Sequence, residues 1–448
     1  MLSITMITAI SVFALPHLRI TTLSMMRSMT LAYALAAFTI VRSSTPMTMA
    51  PLSGSIVIDT MGTYMVVAAL VVQLVVMAYH STPVTTTMGT PYTVTILTGV
   101  LLVGSYYLIM SADMMTLVIS LEVQSFSLYA LSSVYRWREG ATSAGLMYFM
   151  LGAFSSGLVL LGLSMTYVYA GQTDWASLVP LAVMTDDRLM ATSLVVTMSG
   201  LLFKVTAAPF HYWGPEVYDR VPTVITVVIN IMPKFALLAI IMRYTTLLDA
   251  IGIQTYLYMS AVASWVIGSV VGLVQTRIKR LLAYSTVSHV GWMLAAMACG
   301  TSMGLGSVMY YLLQYSLTSV LTFLTLIAMG TTLGLGGEGS GPNMTRGTPG
   351  TVNVGGTNTG LTDVVLVSSM NGLYARSVVM TLAVAVTLFS AAGIPPLAGF
   401  YAKLSVMQAM LFDTSPLYIV VGVVSSVVSA GFYLSVIAAM LFNTPAKS

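Results

Sequence analysis

Three lysines lie inside long apolar stretches of the sequence, where a charge is costly. Lys204 and Lys234 occupy the stretch 201–234, LLFKVTAAPFHYWGPEVYDRVPTVITVVINIMPK, and Lys403 follows the run SAAGIPPLAGFYA. A charged side chain at the centre of a bilayer costs on the order of 3 kcal/mol. Lysine can release its proton in such a site, whereas arginine stays protonated in almost any environment. The three lysines are therefore candidates for proton exchange.

Glu122 is the predicted partner of Lys204. It lies in SADMMTLVISLEVQSFSLYAL, roughly 14 Å along a helix from Asp113 and so near the centre of a span. Two paired groups in a low-dielectric site have coupled proton affinities, so moving one partner changes the other. The alternative is a neutral carboxylic acid that is hydrogen-bonded at a helix interface.

Prolines interrupt the helix that carries Lys204. Pro209 follows Lys204 by five positions and cannot donate to the carbonyl of Val205, so we expect a kink beside the ammonium group. His211 follows in the same segment as a possible proton relay. Its alternative role is that of an interfacial histidine with a satisfied hydrogen bond.

A second interruption precedes Lys403. Pro395 and Pro396 leave the carbonyls of Ala391 and Ala392 without donors from their own helix. Such carbonyls are tolerated in a membrane only when they are buried in protein or face a wet cavity. We therefore predict a second broken helix here.

The stretch QTRIKRLLAYSTVSHVGWML contains another candidate relay. His289 lies deep in this apolar segment with Ser285 and Ser288, and it could extend a polar path or hold two helices together. Lys279, at the start of the segment, is better explained by membrane topology.

Composition excludes a soluble domain. The chain has 448 residues, of which 57% are hydrophobic and 7% charged, and its mean hydropathy is +0.92. Soluble domains carry roughly 25% charged residues. The single cysteine, Cys299, and four scattered histidines offer no spacing for a disulfide framework or a metal site. We therefore expect an all-α polytopic membrane protein with no cofactor, metal or redox centre of its own, and with no nucleic-acid partner.

Apolar runs of about 17 to 25 residues predict membrane-spanning helices. About thirteen such segments occur, although the first three are short or weak. They lie near 2–15, 30–41, 64–79, 93–110, 114–134, 141–169, 190–216, 224–244, 251–274, 281–298, 304–329, 378–410 and 417–441. The Gly- and Thr-rich region 331–374 predicts a flexible inside loop or an insertion. The amino terminus lacks a basic n-region or a transit peptide, so we expect no cleaved leader.

Basic residues predict the orientation, because inside loops hold the excess. Loops after odd-numbered segments contain Arg19, Arg27, Arg136, Arg138, Arg220, Arg277, Lys279, Arg280, Arg346, Arg376 and Lys447. Loops after even-numbered segments contain Arg42, Arg188 and Arg243. This asymmetry places the amino terminus outside and the carboxyl terminus inside.

The two interrupted, lysine-bearing segments are typical of two inverted repeats with an ion path at their interface. The predicted organisation is an amino-terminal group of helices over 1–92, a first repeat over 93–244 and a second repeat over 251–441 that includes the loop 331–374.

Four motifs carry a resemblance to a known family. FKVTAAPFHYWGPEVYDRVPT, QTRIKRLLAYSTVSHVGWML, LEVQSFSLYAL and AGIPPLAGFYAKL resemble the antiporter-like membrane subunits of respiratory complex I. PFHYWGPEVYDRVPT favours the subunit 2 branch, called subunit N in bacteria. The likeness covers about residues 93–441. It departs in the glycine-rich stretch and in a fourteenth helix that bacterial members carry after the position of Leu441.

This resemblance implies a proton-translocating subunit of NADH:ubiquinone oxidoreductase with inverted five-helix repeats and discontinuous seventh and twelfth helices. It assigns proton transfer to Glu122, Lys204, Lys234 and Lys403, with His211 and His289 as possible relays. NADH, FMN, iron–sulfur clusters and ubiquinone would belong to partner subunits. The expected partners are the other complex I membrane subunits, including sister antiporter-like subunits, and membrane lipids.

Two other functions stay open at this point: a subunit of an Mrp-type cation/proton antiporter, and a structural membrane subunit without its own proton path. The Met- and Thr-rich composition and the short carboxyl end favour the mitochondrial inner membrane over a bacterial plasma membrane.

Overall fold

Helices are the expected elements of so apolar a chain, because a helix satisfies its own backbone polar groups inside a bilayer. The computed structural model describes residues 54–80, 91–136, 138–184, 188–252, 254–333, 364–412 and 416–444. Within these ranges it contains fifteen α-helices and no β-strand beyond isolated bridges. In chain order they are α1 (Thr60–His80), α2 (Pro91–Ile109), α3 (Met114–Ser133), α4 (Glu139–Ala170), α5 (Trp175–Met184), α6 (Arg188–Val205), α7 (Trp213–Arg220), α8 (Thr223–Ile251), α9 (Gln254–Leu273), α10 (Ile278–Ala298), α11 (Ser302–Leu333), α12 (Leu373–Arg376), α13 (Val378–Ala392), α14 (Ala398–Leu411) and α15 (Pro416–Phe442).

The predicted all-α membrane fold is confirmed. Over the described ranges, nine helices are long and apolar enough to cross a bilayer: α1, α3, α4, α6, α8, α9, α10, α11 and α15. The predicted segments near 2–15 and 30–41 lie outside the described residues. The ten-residue helix α5 was not predicted, because its apolar stretch is too short to span a bilayer. The division into repeats stays a prediction.

Both predicted helix breaks are present. The seventh predicted segment divides into α6 and α7, and the twelfth divides into α13 and α14. The first break begins earlier than Pro209 alone requires, because α6 already ends at Val205 and Thr206 adopts a positive φ of 69°. A β-branched residue rarely takes this conformation, so the surrounding contacts must hold the chain there.

Helix α8 forms the centre of the bundle. Its span Thr223–Asp249 is buried along the whole apolar window, and α8 packs against α1, α2, α6 and α11. The prediction that Arg243 lies in an outside loop is wrong, because α8 continues to Ile251. Arg243 instead forms an ion pair with Asp59, at 3.1 Å from Nη2 to Oδ2, next to the start of α1.

Small residues allow neighbouring helices to approach closely, as is usual in membrane proteins. A Cβ atom on Gly162 of α4 would lie 2.2 Å from Thr197 Oγ1 on α6, and one on Gly268 of α9 would lie 2.8 Å from the backbone nitrogen of Ser288 on α10. These two contacts fix the helices that carry Lys204 and His289.

The predicted loop 331–374 is wrong at both ends. Helix α11 continues to Leu333, and a 3₁₀ turn (Val367–Met370) and α12 follow the part of the loop that lies outside the described residues. The backbone N–H of Ile278 donates to the carbonyl of Val365 at 3.1 Å. Met370 and Leu373 are buried. The backbone hydrogen bond of Val365 and the packing of these two side chains therefore hold this segment in place.

Candidate functional site

Lys204 occupies the last turn of α6 and is partly buried. Its ammonium nitrogen donates to Ser125 Oγ of α3 at 2.8 Å and to Ser156 Oγ of α4 at 3.1 Å. A cavity of about 10 Å³ beside it is also lined by Trp213 and Pro233, which is close to the ~10–15 Å³ that one water molecule needs. Hydroxyl groups both accept and donate hydrogen bonds, so Lys204 lies in a site that could carry a proton.

The predicted pair of Glu122 and Lys204 is not in direct contact, although the Glu122 carboxylate interacts with Lys204 electrostatically through space. Among the described residues, no hydrogen bond or ion pair joins the two side chains. Glu122 is partly exposed on α3, and Ser125 follows it by three positions on the same helix, so the serine occupies the neighbouring position on that face. The hydroxyls of Ser125 and Ser156 take the place that the sequence suggested for a carboxylate.

The backbone at the first break is satisfied by a neighbouring helix. On α9, Ser264 Oγ accepts from the backbone nitrogen of Ala208 at 2.8 Å, and Ser260 Oγ donates to its carbonyl at 2.7 Å. On the other side, Trp213 Nε1 donates to the carbonyl of Phe203 at 2.7 Å. Both polar backbone atoms of Ala208 therefore have hydrogen-bond partners at the break, as low-dielectric surroundings require.

Lys234 is buried at the middle of α8, with 2% of its surface exposed. Its ammonium nitrogen donates to Asn230 Oδ1 at 2.5 Å and to the Tyr315 hydroxyl at 3.0 Å, and that hydroxyl also donates to Asn230 Oδ1 at 3.1 Å. The nitrogen lies 4.9 Å from the centroid of the Tyr315 ring, within the range of a cation–π contact. The ammonium group of Lys234 is thus surrounded by the amide of Asn230 and by the hydroxyl and ring of Tyr315.

His289 lies on α10 between tyrosine side chains from neighbouring helices. Its Nδ1 is 2.8 Å from the Tyr311 hydroxyl and its Nε2 is 3.3 Å from the Tyr433 hydroxyl, while its ring centroid is 5.4 Å from that of Tyr315. A cavity of about 20 Å³ is lined by His289, Tyr315, Tyr433 and Ala391, among others, and has room for one water molecule. The cavity thus runs from the neighbours of Lys234 to the second break.

Lys403 closes the second break. Its ammonium nitrogen donates to the carbonyl of Ala392, the last residue of α13, at 2.7 Å, and its side chain is buried. Gly393 follows with a positive φ of 86°, and a Cβ atom there would lie 3.2 Å from the Lys403 nitrogen. Glycine is therefore needed both for the backbone conformation and for the space that Lys403 fills. The carbonyls of Ala391 and Ala392 were predicted to lack a donor from their own helix. Lys403 is the donor to the Ala392 carbonyl.

His211 stands apart from these groups. It lies in the first break, partly buried, with its ring centroid 6.2 Å from that of Tyr284. Its Nδ1 is buried and has no hydrogen-bond partner among the residues that the structure describes. The structure therefore connects His289 with the surroundings of Lys234, but it does not connect His211 with any of the lysines.

Sequence reasoning missed a charged cluster in the carboxyl-terminal part of α7. Glu216 and Asp219 form ion pairs with Arg277 and Arg280, which stand at the start of α10. Lys279, predicted to serve topology, is buried and donates to the carbonyl of Val221 at 2.9 Å. The signal available in the sequence was the pair of acidic residues in PFHYWGPEVYDRVPT and the three basic residues in QTRIKRLLAYSTVSHVGWML. No group of three His, Cys, Asp or Glu side chains in the described part of the chain could hold a metal ion.

The family model described as the transmembrane region of the NADH:quinone oxidoreductase and Mrp antiporter proteins matches residues 111–334 and 351–429. The chain belongs to that family. The matched ranges contain Glu122, Lys204, Lys234, His289 and Lys403, so all the buried lysines described above fall within the family's shared region.

Curated relatives of this antiporter family include NADH-ubiquinone oxidoreductase chain 2 of Rhizopus oryzae, which is 40% identical over 350 residues, 77% of this chain and 63% of that relative. NADH-quinone oxidoreductase subunit N of Sphingopyxis alaskensis is 35% identical over 338 residues, 74% of this chain and 65% of the relative. The chain thus spans just under two thirds of the length of these two relatives.

Solved structures share the fold. The respiratory complex I structure from Thermus thermophilus with bound aureothin contains a chain that matches with a TM-score of 0.80 at 25% identity, over 100% of this chain and 90% of that one. The Mrp complex from Dietzia sp. matches with a TM-score of 0.80 at 19% identity, over 100% of this chain and 80% of that one. The second likeness concerns the fold alone.

Proposed function

We propose that this chain is a proton-translocating membrane subunit of NADH:ubiquinone oxidoreductase. Electron transfer from NADH through FMN and iron–sulfur clusters to ubiquinone would take place in partner subunits. One observation carries the proposal: within the described part of the chain, the ammonium groups of Lys204, Lys234 and Lys403 bind only neutral partners, namely hydroxyls, an amide oxygen and a backbone carbonyl.

Neutral partners suit a group that must gain and lose a proton. An acid partner would hold a buried lysine as an ion pair, and separating such a pair is costly. Hydroxyl, amide and carbonyl oxygens accept hydrogen bonds from an ammonium group and from a neutral amine alike. Each lysine can therefore change its charge while its hydrogen-bond partners stay in place.

The contacts support a route with Lys234 at its centre. A proton from the inside would reach Lys234, whose partner Tyr315 borders the cavity beside His289. That cavity also touches Ala391, next to the carbonyl that Lys403 binds. Water in the cavity would bridge the remaining gap, and Lys403 would release the proton to the outside.

Glu122 and Lys204 are the proposed coupling elements. Glu122 is partly exposed on α3 and could respond to a charge in a neighbouring subunit. A change at Glu122 would act on Lys204 through space and through the adjacent Ser125 hydroxyl, because electrostatic effects are strong where the dielectric constant is low. Relatives named as subunits of this oxidoreductase support sister antiporter-like subunits as neighbours.

The mitochondrial inner membrane is the proposed location. Relatives named NADH-ubiquinone oxidoreductase chain 2 come from Rhizopus oryzae and Marchantia polymorpha, and the Met- and Thr-rich composition agrees with them. Cation exchange of the Mrp kind is not proposed, because the likeness to the Mrp complex is one of fold.

The decisive experiment is Lys204→Ala in the assembled complex, reconstituted in vesicles. The expected result is a lower ratio of protons moved to NADH oxidised, because the coupling cation is lost. Ser199→Ala is the matched control on the same helix, since the Ser199 hydroxyl donates only to the Val196 carbonyl of α6 itself, at 2.7 Å. Normal NADH oxidation with an unchanged proton ratio in Lys204→Ala would contradict the proposed function.

A further inference from the structure

Helix α7, the inner half of the first broken helix, has only eight residues. An isolated helix shorter than about 12 residues is marginal even in favourable sequences, so contacts with the rest of the bundle must hold α7. At its first residue, Trp213 is buried and stacks on Tyr148, with ring centroids 4.5 Å apart and an interplanar angle of 11°. At the other end the contacts are ionic.

Two carboxylates of α7 face Arg277, which caps the amino-terminal end of α10, and Arg280 in its first turn. Arg277 Nε lies 3.0 Å from Asp219 Oδ1, and Arg280 Nε lies 3.2 Å from Asp219 Oδ2. Arg280 Nη2 also lies 2.5 Å from Glu216 Oε1. The Asp219 side chain is only 3% exposed, and a buried charge that loses its partners costs far more than an exposed one. The pairing with Asp219 is therefore the energetically important contact.

Further contacts fix the same end. The Lys279 ammonium nitrogen donates at 2.9 Å to the carbonyl of Val221, the residue that caps α7, where the negative end of the helix dipole favours a cation. The backbone next to Arg277 is also fixed, because the N–H of Val367 donates to the Thr276 carbonyl at 3.0 Å. The segment that carries the arginines is therefore hydrogen-bonded to a second part of the chain.

We infer that Glu216, Asp219, Arg277 and Arg280 form an ionic latch that positions α7 and, through it, the break beside Lys204. The path is short. Trp213, at the start of α7, donates to the carbonyl of Phe203, the residue before Lys204, and lines the cavity next to the lysine. A shift of α7 would remove this donor and open the cavity. The four latch residues are positioning residues, and only their effect on proton transfer rests on the proposed function.

The latch also joins the two halves of the chain. Helix α7 belongs to the interrupted segment that carries Lys204, whereas α10 carries His289 as well as Arg280. Movement at the break beside Lys204 could therefore reach the helix that carries His289 through these ion pairs, and the reverse. Membrane topology alone would place arginines at this face, but it would not require them to meet a buried aspartate.

The test measures exposure of the break directly. Ala207 is fully buried in the break, and a cysteine introduced there reports opening through its rate of reaction with a small water-soluble maleimide in the assembled complex. The chain's own cysteine, Cys299, is buried. Labelling is quantified on this chain after the subunits are separated.

Arg277→Gln and Arg277→Lys form the central pair of variants, because Arg277 is 43% exposed and tolerates substitution better than Asp219. Arg277→Gln and Asp219→Asn are expected to speed labelling at position 207 about tenfold or more, since each removes an ion pair in which the carboxylate is buried. Arg277→Lys keeps the charge and should label near the rate of the parent. Arg376→Gln, which removes the charge of an exposed arginine that is not one of the four latch residues, should also label near that rate.

Slow labelling in both Arg277→Gln and Asp219→Asn would overturn the latch, and so would an equal acceleration in Arg376→Gln. If Asp219→Asn prevents assembly, the Arg277 pair decides alone. Labelling does not require pumping, so the latch and the proposed function fail separately. Fast labelling in the latch variants together with normal pumping in Lys204→Ala would support the latch and contradict the proton route.

Discussion

The ammonium nitrogen of Lys403 lies 2.7 Å from the carbonyl oxygen of Ala392, the residue at which α13 ends. One side chain therefore supplies both a charge inside the membrane and the hydrogen bond that the broken helix lacks. The negative end of the α13 dipole points at the same place, which favours a cation there. A change in the charge of Lys403 and a change in the geometry of the break are consequently linked.

Lys403→Met tests this link. Methionine has a similar length and no charge, so packing is largely kept while the Ala392 carbonyl loses its donor. We expect a loss of about 1–3 kcal/mol in stability, the usual cost of a buried polar group without a partner, together with a lower proton ratio. Thermal unfolding and vesicle acidification measure the two effects. Ser405→Ala is the control, because the Ser405 hydroxyl binds only the Ala402 carbonyl of its own helix; equal losses in both variants would contradict the assignment.

Tyr315→Phe tests the contact between Lys234 and the cavity beside His289. The variant keeps the ring that lies against the ammonium group and removes the hydroxyl that bridges Lys234 and Asn230. Proton transfer should slow by about ten- to a hundredfold, because one hydrogen bond to a charged group contributes about 1.5–3 kcal/mol. The matched control is Tyr258→Phe, whose hydroxyl binds Cys299 Sγ. Steady-state pumping rates that are equal in the two variants would exclude Tyr315 from the route.

Ser264→Ala tests how the first break is held. Ser264 accepts from the backbone nitrogen of Ala208 at 2.8 Å, and that nitrogen has no helical partner to replace it. The variant should lose about 1–3 kcal/mol of stability, and the double variant with Ser260→Ala should lose more. Ser269→Ala on the same helix is the control, since its hydroxyl donates to the Val266 carbonyl of α9 itself. Unchanged melting of the double variant would mean that α9 does not hold the break.

Gly399→Ala tests the packing of α14 against α13. A Cβ atom on Gly399 would lie within 1.7 Å of the Ser390 carbonyl oxygen, whereas one on Gly306 of α11 would meet nothing within 4 Å. Gly399→Ala must therefore displace α14, and with it Lys403, at a cost of about 1–3 kcal/mol or more for overpacking. Gly306→Ala should be neutral or slightly stabilising. Assembly yield and melting temperature on native gels compare the two variants, and equal melting would contradict the close approach.

The sequence predicted the elements better than their contacts. The two breaks followed from Pro209 and Pro395, because a proline removes a helical hydrogen bond wherever it occurs. The partners of Lys204 could not be predicted, since serines are frequent throughout the chain and only the packing of α3 and α4 selects Ser125 and Ser156. A carboxylate at a similar depth was the simpler expectation.

Longer-range features were also beyond sequence reasoning. The pairing of Ile278 with Val365 joins residues on either side of a long glycine-rich stretch, and composition alone predicts only a loop there. In the sequence, Arg277 and Arg280 are explained by the positive-inside rule alone. Their ion pairs with Asp219 become evident only when the structure shows α7 packed beside the start of α10.

The last prediction concerns Gln73, because replacing this residue should raise the stability of the protein instead of lowering it. It is fully buried in α1, and neither its Nε2 nor its Oε1 has a hydrogen-bond partner among the described residues. Gln73→Leu should raise stability by about 1–3 kcal/mol, because it removes two unsatisfied polar atoms at nearly constant volume.

Gln124→Leu is the matched comparison for Gln73→Leu. Gln124 is equally buried, but its Nε2 donates to Ser105 Oγ at 2.9 Å, so the same substitution should lower the melting temperature. A lower melting temperature in Gln73→Leu as well would contradict the first expectation. It would mean that Gln73 binds water or a group from the remaining part of the chain, because only a satisfied amide is costly to replace.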